Sequence, residues 1–403
     1  MLLHILIATL LGTGAGIITG LVPGVHINLV SIILISLSAY LLNFTTPLTI
    51  AVFIIAMGIT HTFLDAIPSI FLGAPDADMA LAVLPGHRLL LNGQGYEAVK
   101  LTVIGSLLSL ITVIAILPLM IPLAPLIYKF LQPYIGYILI AVVVYMILIE
   151  KKINKIFWSF VIFSLSGILG MIVLTLPNIS QPLLPMLSGL FGVSVLLISL
   201  NQKVLLPKQR ISESITIPLK KKSKAIAASV FSGSLTGLFP GLGPAQAAVI
   251  AMQIVGNIGE YAFMVLISGI NTVNFLFSLV SFYTINKARN GAIVALMEIV
   301  KSISLTELII LVAVALIAGS LATYLTLFFS KIFSNLMNKV NYNFLVIGVI
   351  ALIVLLVFFF SSWVGILILI TSTALGIIAP TLGVKRTHSM GCLLLPVILF
   401  FIL

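Results

Sequence analysis

Three long stretches of this chain contain no Asp, Glu, Lys or Arg: residues 1–64, 156–202 and 340–384. Each is long enough for two helical crossings of a bilayer, since one crossing takes about 20 residues. With 61% hydrophobic and 7% charged residues, the chain cannot hide its apolar surface inside itself; soluble domains carry about 25% charged residues. Lipid is therefore the solvent. The apolar runs are continuous, whereas barrel strands alternate over about 10 residues. A helix also satisfies its own backbone hydrogen bonds in hydrocarbon. The expected fold is an all-α integral membrane protein.

Breaks at Pro, Gly and charge divide the chain into fourteen segments: 3–21, 25–42, 47–72, 98–127, 132–149, 156–176, 183–200, 225–239, 242–257, 260–284, 305–330, 343–360, 362–383 and 388–403. Twelve to fourteen transmembrane or re-entrant helices are thus expected, the shorter ones being candidates for re-entry. The start, Met1–Leu21, lacks the basic region of a signal peptide and reads as a first transmembrane helix.

The net charge of +11 comes from 20 basic and 9 acidic residues. The basic residues cluster in loops, where they set topology and meet anionic headgroups; no nucleic-acid motif accompanies them. The loop Lys203–Lys224 holds seven and is expected in the cytoplasm. Counting outward from it, 16 Lys and Arg fall inside and only Lys129, Lys287, Arg289 and Lys301 outside. This puts the N-terminus outside. Cys392 is the single cysteine, which leaves no internal disulfide and no Cys-based metal site.

An internal repeat organises the chain. Gly20-Leu21-Val22-Pro23-Gly24-Val25 closes the first segment, and Gly237-Leu238-Phe239-Pro240-Gly241-Leu242 closes the eighth. Gly58-Ile59-Thr60-His61-Thr62 recurs as Gly269-Ile270-Asn271-Thr272-Val273. Seven crossings per copy is odd, so the second copy lies upside down. The expected domains are a first inverted repeat at 1–200, a basic cytoplasmic linker at 201–224 and a second repeat at 225–403. Matched, Gly/Pro-interrupted segments in inverted copies are the usual build of secondary transporters.

Each Pro-Gly must stop a helix. The exposed helix ends can bind ions, or the break can be a plain tight turn. Polar Asn28 and Gln246 follow the two breaks. Asp65 lies deep in an apolar run; such a carboxylate faces a cavity or a partner, or else it is interfacial. Thr60, Ser69, Asn271, Thr272 and Asn274 add neutral oxygens and amides suited to coordination or to helix–helix hydrogen bonds. Asp76 and Asp78 are placed to cap a short amphipathic helix that runs to Arg88. Together with His87 they lack the spacing of a metal site. No convergent acid, base or metal set exists for catalysis, and nothing resembles a nucleotide-binding loop. An intramembrane enzyme on lipid or peptide and a channel stand as alternatives to a carrier.

Gly-Leu-Val-Pro-Gly at 20–24, Gly-Leu-Phe-Pro-Gly-Leu-Gly-Pro at 237–244 and Leu-Gly-Ala-Pro-Asp-Ala-Asp at 72–78 share a pattern with Val-Leu-Pro-Gly-His-Arg at 83–88 and Gly-Gln-Gly-Tyr-Glu-Ala at 93–98. This set resembles the large permease subunit of the tripartite tricarboxylate transporters, the TctA family, in an archaeal-type branch. The resemblance implies an ion-gradient-driven permease for citrate-like carboxylates, with Na⁺ or H⁺ as coupling ion and no other cofactor. It further implies a small membrane subunit, an extracytoplasmic binding protein and, by analogy, a homodimer and an elevator-type movement. By motif match, Gly20, Pro23, Gly24, Gly237, Pro240 and Gly241 are the family's Pro-Gly elements. The bacterial Gly-Gly-Ser-Ile stretch is replaced here by Asp65-Ala66-Ile67-Pro68-Ser69-Ile70, of which Ser69-Ile70 match.

Overall fold

Helices begin where the sequence supplies a cap. Thr46 Oγ1 accepts from Thr49 N at 3.3 Å ahead of Pro47, and Ser304 N donates to Glu307 Oε2 at 2.7 Å. These contacts satisfy amide donors that a helix start leaves open. The computed structural model describes residues 2–23, 27–74, 78–150, 152–177, 179, 181–201, 207–212, 214–239, 242–339 and 342–403. Among them there is helix and no strand.

The first part of the chain forms α1 (Leu2–Leu21), α2 (Ile27–Leu41), α3 (Pro47–Leu64), α4 (Ala66–Phe71), α5 (Val83–Leu91) and α6 (Gly95–Leu131). Then come α7 (Ile135–Leu148), α8 (Ile153–Thr175), α9 (Leu183–Leu187) and α10 (Ser194–Asn201), with one π-helical stretch, Ser188–Val193, joining the last two. The second part forms α11 (Leu219–Leu238), α12 (Pro244–Val255), α13 (Glu260–Ile285), α14 (Gly291–Val300), α15 (Leu305–Met337), α16 (Tyr342–Thr381) and α17 (Gly391–Ile402). Eight helical stretches among the described residues are long and apolar enough to cross a membrane. The chain is a multi-pass, all-α integral membrane protein.

Three details depart from the expected segments. The run 47–72 is two helices that meet at Asp65. Residues 291–300, left between segments by hydropathy, form α14, capped by Asn290 Oδ1 at 2.9 Å from Ile293 N. The 3₁₀ turn Ala80–Ala82 and α5 follow Met79 and Ala82, neither of which offers a side-chain cap, so no aspartate stands directly at either start; Asp76 lies outside the described residues. The division near 361, by contrast, is a kink at Ser362, whose φ is 52°.

Two helices are buried almost completely, α3 and α13, while α1, α6, α8, α15 and α16 turn large apolar side chains outward. Such exposed Leu, Ile and Phe face lipid. Small residues bring the central helices against their partners. A Cβ on Gly16 would lie 2.6 Å from Met57 O, and one on Gly20 would lie 2.7 Å from Leu64 Cβ. The same holds for Gly233 against Val273 Cβ and Gly237 against Phe277 Cβ, both at 2.8 Å. Small-residue faces of this kind let membrane helices approach closely. The contact order makes α1 parallel to α3 and α11 parallel to α13. Gly58 meets the Phe275 ring, Thr62 meets Thr272 and Asp65 meets Asn271, so α3 and α13 cross antiparallel.

The expected linker 201–224 is shorter in the structure, since Leu219–Lys224 already belong to α11; its described residues 207–212 and 214–218 are non-helical but held in place. Gln209 Nε2 donates to Leu90 O at 3.0 Å, its Oε1 accepts from Gly95 N at 3.0 Å, and its own N donates to Asn338 Oδ1 at 2.6 Å.

Candidate functional site

The site forms where α3 stops. Asp65 is the residue between α3 and α4, with φ −60° and ψ −21°. An aspartate at a helix start ordinarily turns back onto the helix's own N–H groups. Here it makes no such bond. Asp65 Oδ2 instead accepts from Asn271 Nδ2 on α13 at 2.6 Å, and the two residues are 2% and 1% exposed. A hydrogen bond to a charged group in low dielectric is strong, and the same low dielectric makes it costly to break.

One turn earlier on α3, Thr62 and Thr272 share a hydrogen bond of 3.2 Å. His61 Nδ1 lies 3.2 Å from Thr19 Oγ1 of α1. Ser69 Oγ donates to Asp65 O at 2.9 Å and so braces the break from α4. Thr60 is fully buried, and its hydroxyl has no hydrogen-bond partner among the described residues. Asn274 makes no side-chain hydrogen bond among them, and its carbonyl oxygen would lie 3.2 Å from a Cβ on Gly237. Thr60 packs against Gly16 of α1, whereas Thr62 and Asp65 face α13, so the three oxygens do not share one helix face.

Thr60 lies on α3, Asp65 at its end and Ser69 on α4, while Asn271, Thr272 and Asn274 lie on α13; the Asp65–Asn271 and Thr62–Thr272 hydrogen bonds join the two sides. Gly20 and Gly237 seat α1 and α11 against α3 and α13. Gln246 is turned back: its Oε1 accepts from Gly243 N at 3.0 Å at the start of α12. Pro23 ends the described part of the first break. Gly24, Pro240, Gly241 and the Asn28 side chain lie outside the described residues.

Other residues were not singled out from sequence. His61 and Thr19 pair only across helices, which residue spacing along one helix does not reveal. Ser278 Oγ accepts from Arg289 N at 3.0 Å and Asn290 N at 3.2 Å, tying α13 to the start of α14. Asp78 Oδ1 would lie 3.8 Å from a Cβ on Gly243, near the positive end of α12.

Two cations, Arg289 and Lys287, lie near Leu238 and Phe239, the last described residues before the second break. Arg289 Nε donates to Leu238 O at 2.6 Å, Lys287 Nζ donates to Tyr128 Oη at 3.0 Å, and Phe239 stacks on the Tyr128 ring at 5.6 Å. Burial pulls the Arg289 pKa below its ordinary value, opposed by the Tyr128 hydroxyl beside it. The guanidinium stays charged at neutral pH.

An uncharacterised protein of Methanocaldococcus jannaschii is 30% identical over 98% of this chain and 99% of its own length. No solved structure matches the chain. The family model for the tripartite tricarboxylate transporter TctA family matches residues 6–391. With membrane helices throughout and a match over nearly its whole length, the chain belongs to the tripartite tricarboxylate transporter TctA family.

Proposed function

We propose that this chain is the carrier subunit that moves a small organic anion, a di- or tricarboxylate, across the cell membrane by alternating access, coupled to Na⁺ or H⁺. The observation that carries the reading is the Asp65–Asn271 hydrogen bond, a buried carboxylate at a helix break held by an amide from the other half of the chain.

The physical logic is charge compensation. A carboxylate at membrane depth is expensive, and a bound cation or proton neutralises it. Neutralising Asp65 weakens its hold on Asn271, and the α3–α4 break is where the chain can then rearrange. The substrate's carboxylates are received beside the helix starts that follow the two Pro-Gly breaks, where the positive end of a helix favours negative charge. Arg289 and Lys287 raise the local potential at the second break. The parallel pairs α1–α3 and α11–α13, crossing antiparallel at the centre, support the inverted-repeat reading. With the basic loops cytoplasmic and the N-terminus outside, the first break faces the cytoplasm and the second faces out. Partners follow the family's tripartite plan: a small membrane subunit and an extracytoplasmic binding protein, with a homodimer as the assembly.

Uptake of labelled citrate and succinate into proteoliposomes, driven by an imposed Na⁺ or pH gradient, tests this. Accumulation above equilibrium under one gradient is expected. Equilibration alone, with sustained single-channel currents, would make the protein a channel instead.

A further inference from the structure

A second site lies away from the central helices. A cavity of about 640 Å³ opens between α5 on one side and α10, the end of α16 and the turn before α17 on the other. Arg88, Lys385 and Arg386 line it, and no carboxylate does among the described residues. The rest of the wall is largely apolar, with Leu84, Phe191 and Ile198 among its members.

The nearby acids are already engaged. Glu260 Oε1 pairs with Arg88 at 3.2 Å, where both side chains are substantially exposed. Glu150 Oε1 lies 3.3 Å from His388 Nε2 and 3.9 Å from Lys385 Nζ. Arg386 has no carboxylate partner among the described residues. Its Nη1 donates to Ser194 Oγ at 3.1 Å, and its Nε is buried without a hydrogen-bond partner. Burial, and then the charge of Arg88, pull Arg386 down to about 10, so it remains protonated at neutral pH. A half-buried guanidinium that shares a cavity with a second one is left uncompensated among the described residues, and a planar fork of donors matches an oxyanion.

We propose that this cavity is an anion-binding site, in which Arg386, flanked by Arg88 and Lys385, holds a phosphate or carboxylate group. Two sources offer that chemistry, a free anion or the headgroup of an anionic phospholipid whose chains lie along the apolar wall. None of the residues of the Asp65–Asn271 contact lines the cavity, so this proposal does not depend on the transport reading.

The test uses the full chain. In neutral detergent, inorganic phosphate and citrate are titrated by calorimetry; in parallel, thermal stability is compared in phosphatidylglycerol and phosphatidylcholine nanodiscs. Saturable phosphate or citrate binding, weakened at least tenfold in Arg386→Gln and partly kept in Arg386→Lys, identifies a free anion. A stability gain specific to phosphatidylglycerol, and lost in Arg386→Gln, identifies a lipid headgroup. If Arg386→Gln does not fold, the exposed Arg88→Gln is used, with a several-fold weakening expected. Absence of both effects in the wild type, or binding that survives these substitutions undiminished, overturns the proposal. Loss of carboxylate uptake in liposomes with phosphatidylglycerol binding intact would instead count against the transport reading alone.

Discussion

The two central helices make an unequal pair. Both are buried almost throughout, and each carries a close-packed partner on glycines, α1 on α3 and α11 on α13. Yet α3 stops at Asp65 and restarts as α4, whereas α13 runs unbroken from Glu260 to Ile285. The broken helix carries the charge. The continuous one offers neutral amides and hydroxyls: Asn271, Thr272, Asn274 and Ser278. On the proposed reading, the half that carries Asp65 changes its charge while the other supplies neutral donors, which places ion coupling in the first half of the chain.

Removing the frame should have the largest effect on stability. Asn271→Ala leaves Asp65 without its charged hydrogen bond and is expected to cost about 1.5–3 kcal/mol, read as a lowered unfolding midpoint in detergent. Combined with Asp65→Asn, the loss should be clearly less than the sum of the singles. An additive double mutant would mean that the two helices are not coupled through this contact.

Packing at the crossing comes next. A methyl on Gly58 would collide with the Phe275 ring, and overpacking a tight core costs about 1–3 kcal/mol. Gly14, also on a helix, has nothing within 4 Å of such a methyl. Gly14→Ala should be neutral or stabilise by up to about 1 kcal/mol through helix propensity. Equal losses at both positions would remove the argument that α3 and α13 are specially close. The smallest effect belongs to Thr62→Val. It deletes one buried hydroxyl pair with Thr272 and should cost about 1 kcal/mol. Thr62→Val and Thr272→Val together should cost little more than either alone.

Much of this frame is legible in sequence. Uncharged runs longer than a bilayer is thick dictate membrane helices, and Asp65 stands out as the first formal charge in the chain. The polar groups of 60–69 and 271–274 were visible as interruptions in apolar segments. What could not be read is which of them meet. Pairing His61 with Thr19 depends on a contact between segments 42 residues apart, and pairing Asp65 with Asn271 on a crossing between segments 206 residues apart, which no local periodicity encodes. The matched motifs suggest that Gly58 corresponds to Gly269. The packing of Gly16 and Gly20 on α3, compared with that of Gly233 and Gly237 on α13, aligns Met57 with Ile270 and Leu64 with Phe277 instead. That shift of two residues places His61 opposite Asn274. Helix α14 escaped because its 10 residues are too few to span, so hydropathy treats them as a loop. Gln246 Oε1 accepts from Gly243 N at the start of its own helix, a contact that a polar residue three places after a helix start can make.

The most direct test of the account is gradient-driven uptake by Asp65→Asn in proteoliposomes. Asparagine keeps the size of the side chain and a hydrogen-bonding group while removing the charge that a cation or proton must neutralise. The account predicts a folded protein whose unfolding midpoint is close to that of the wild type, and which no longer accumulates carboxylate under either gradient. Accumulation at the wild-type level, with the same dependence on the driving ion, would contradict it and remove Asp65 from the coupling mechanism.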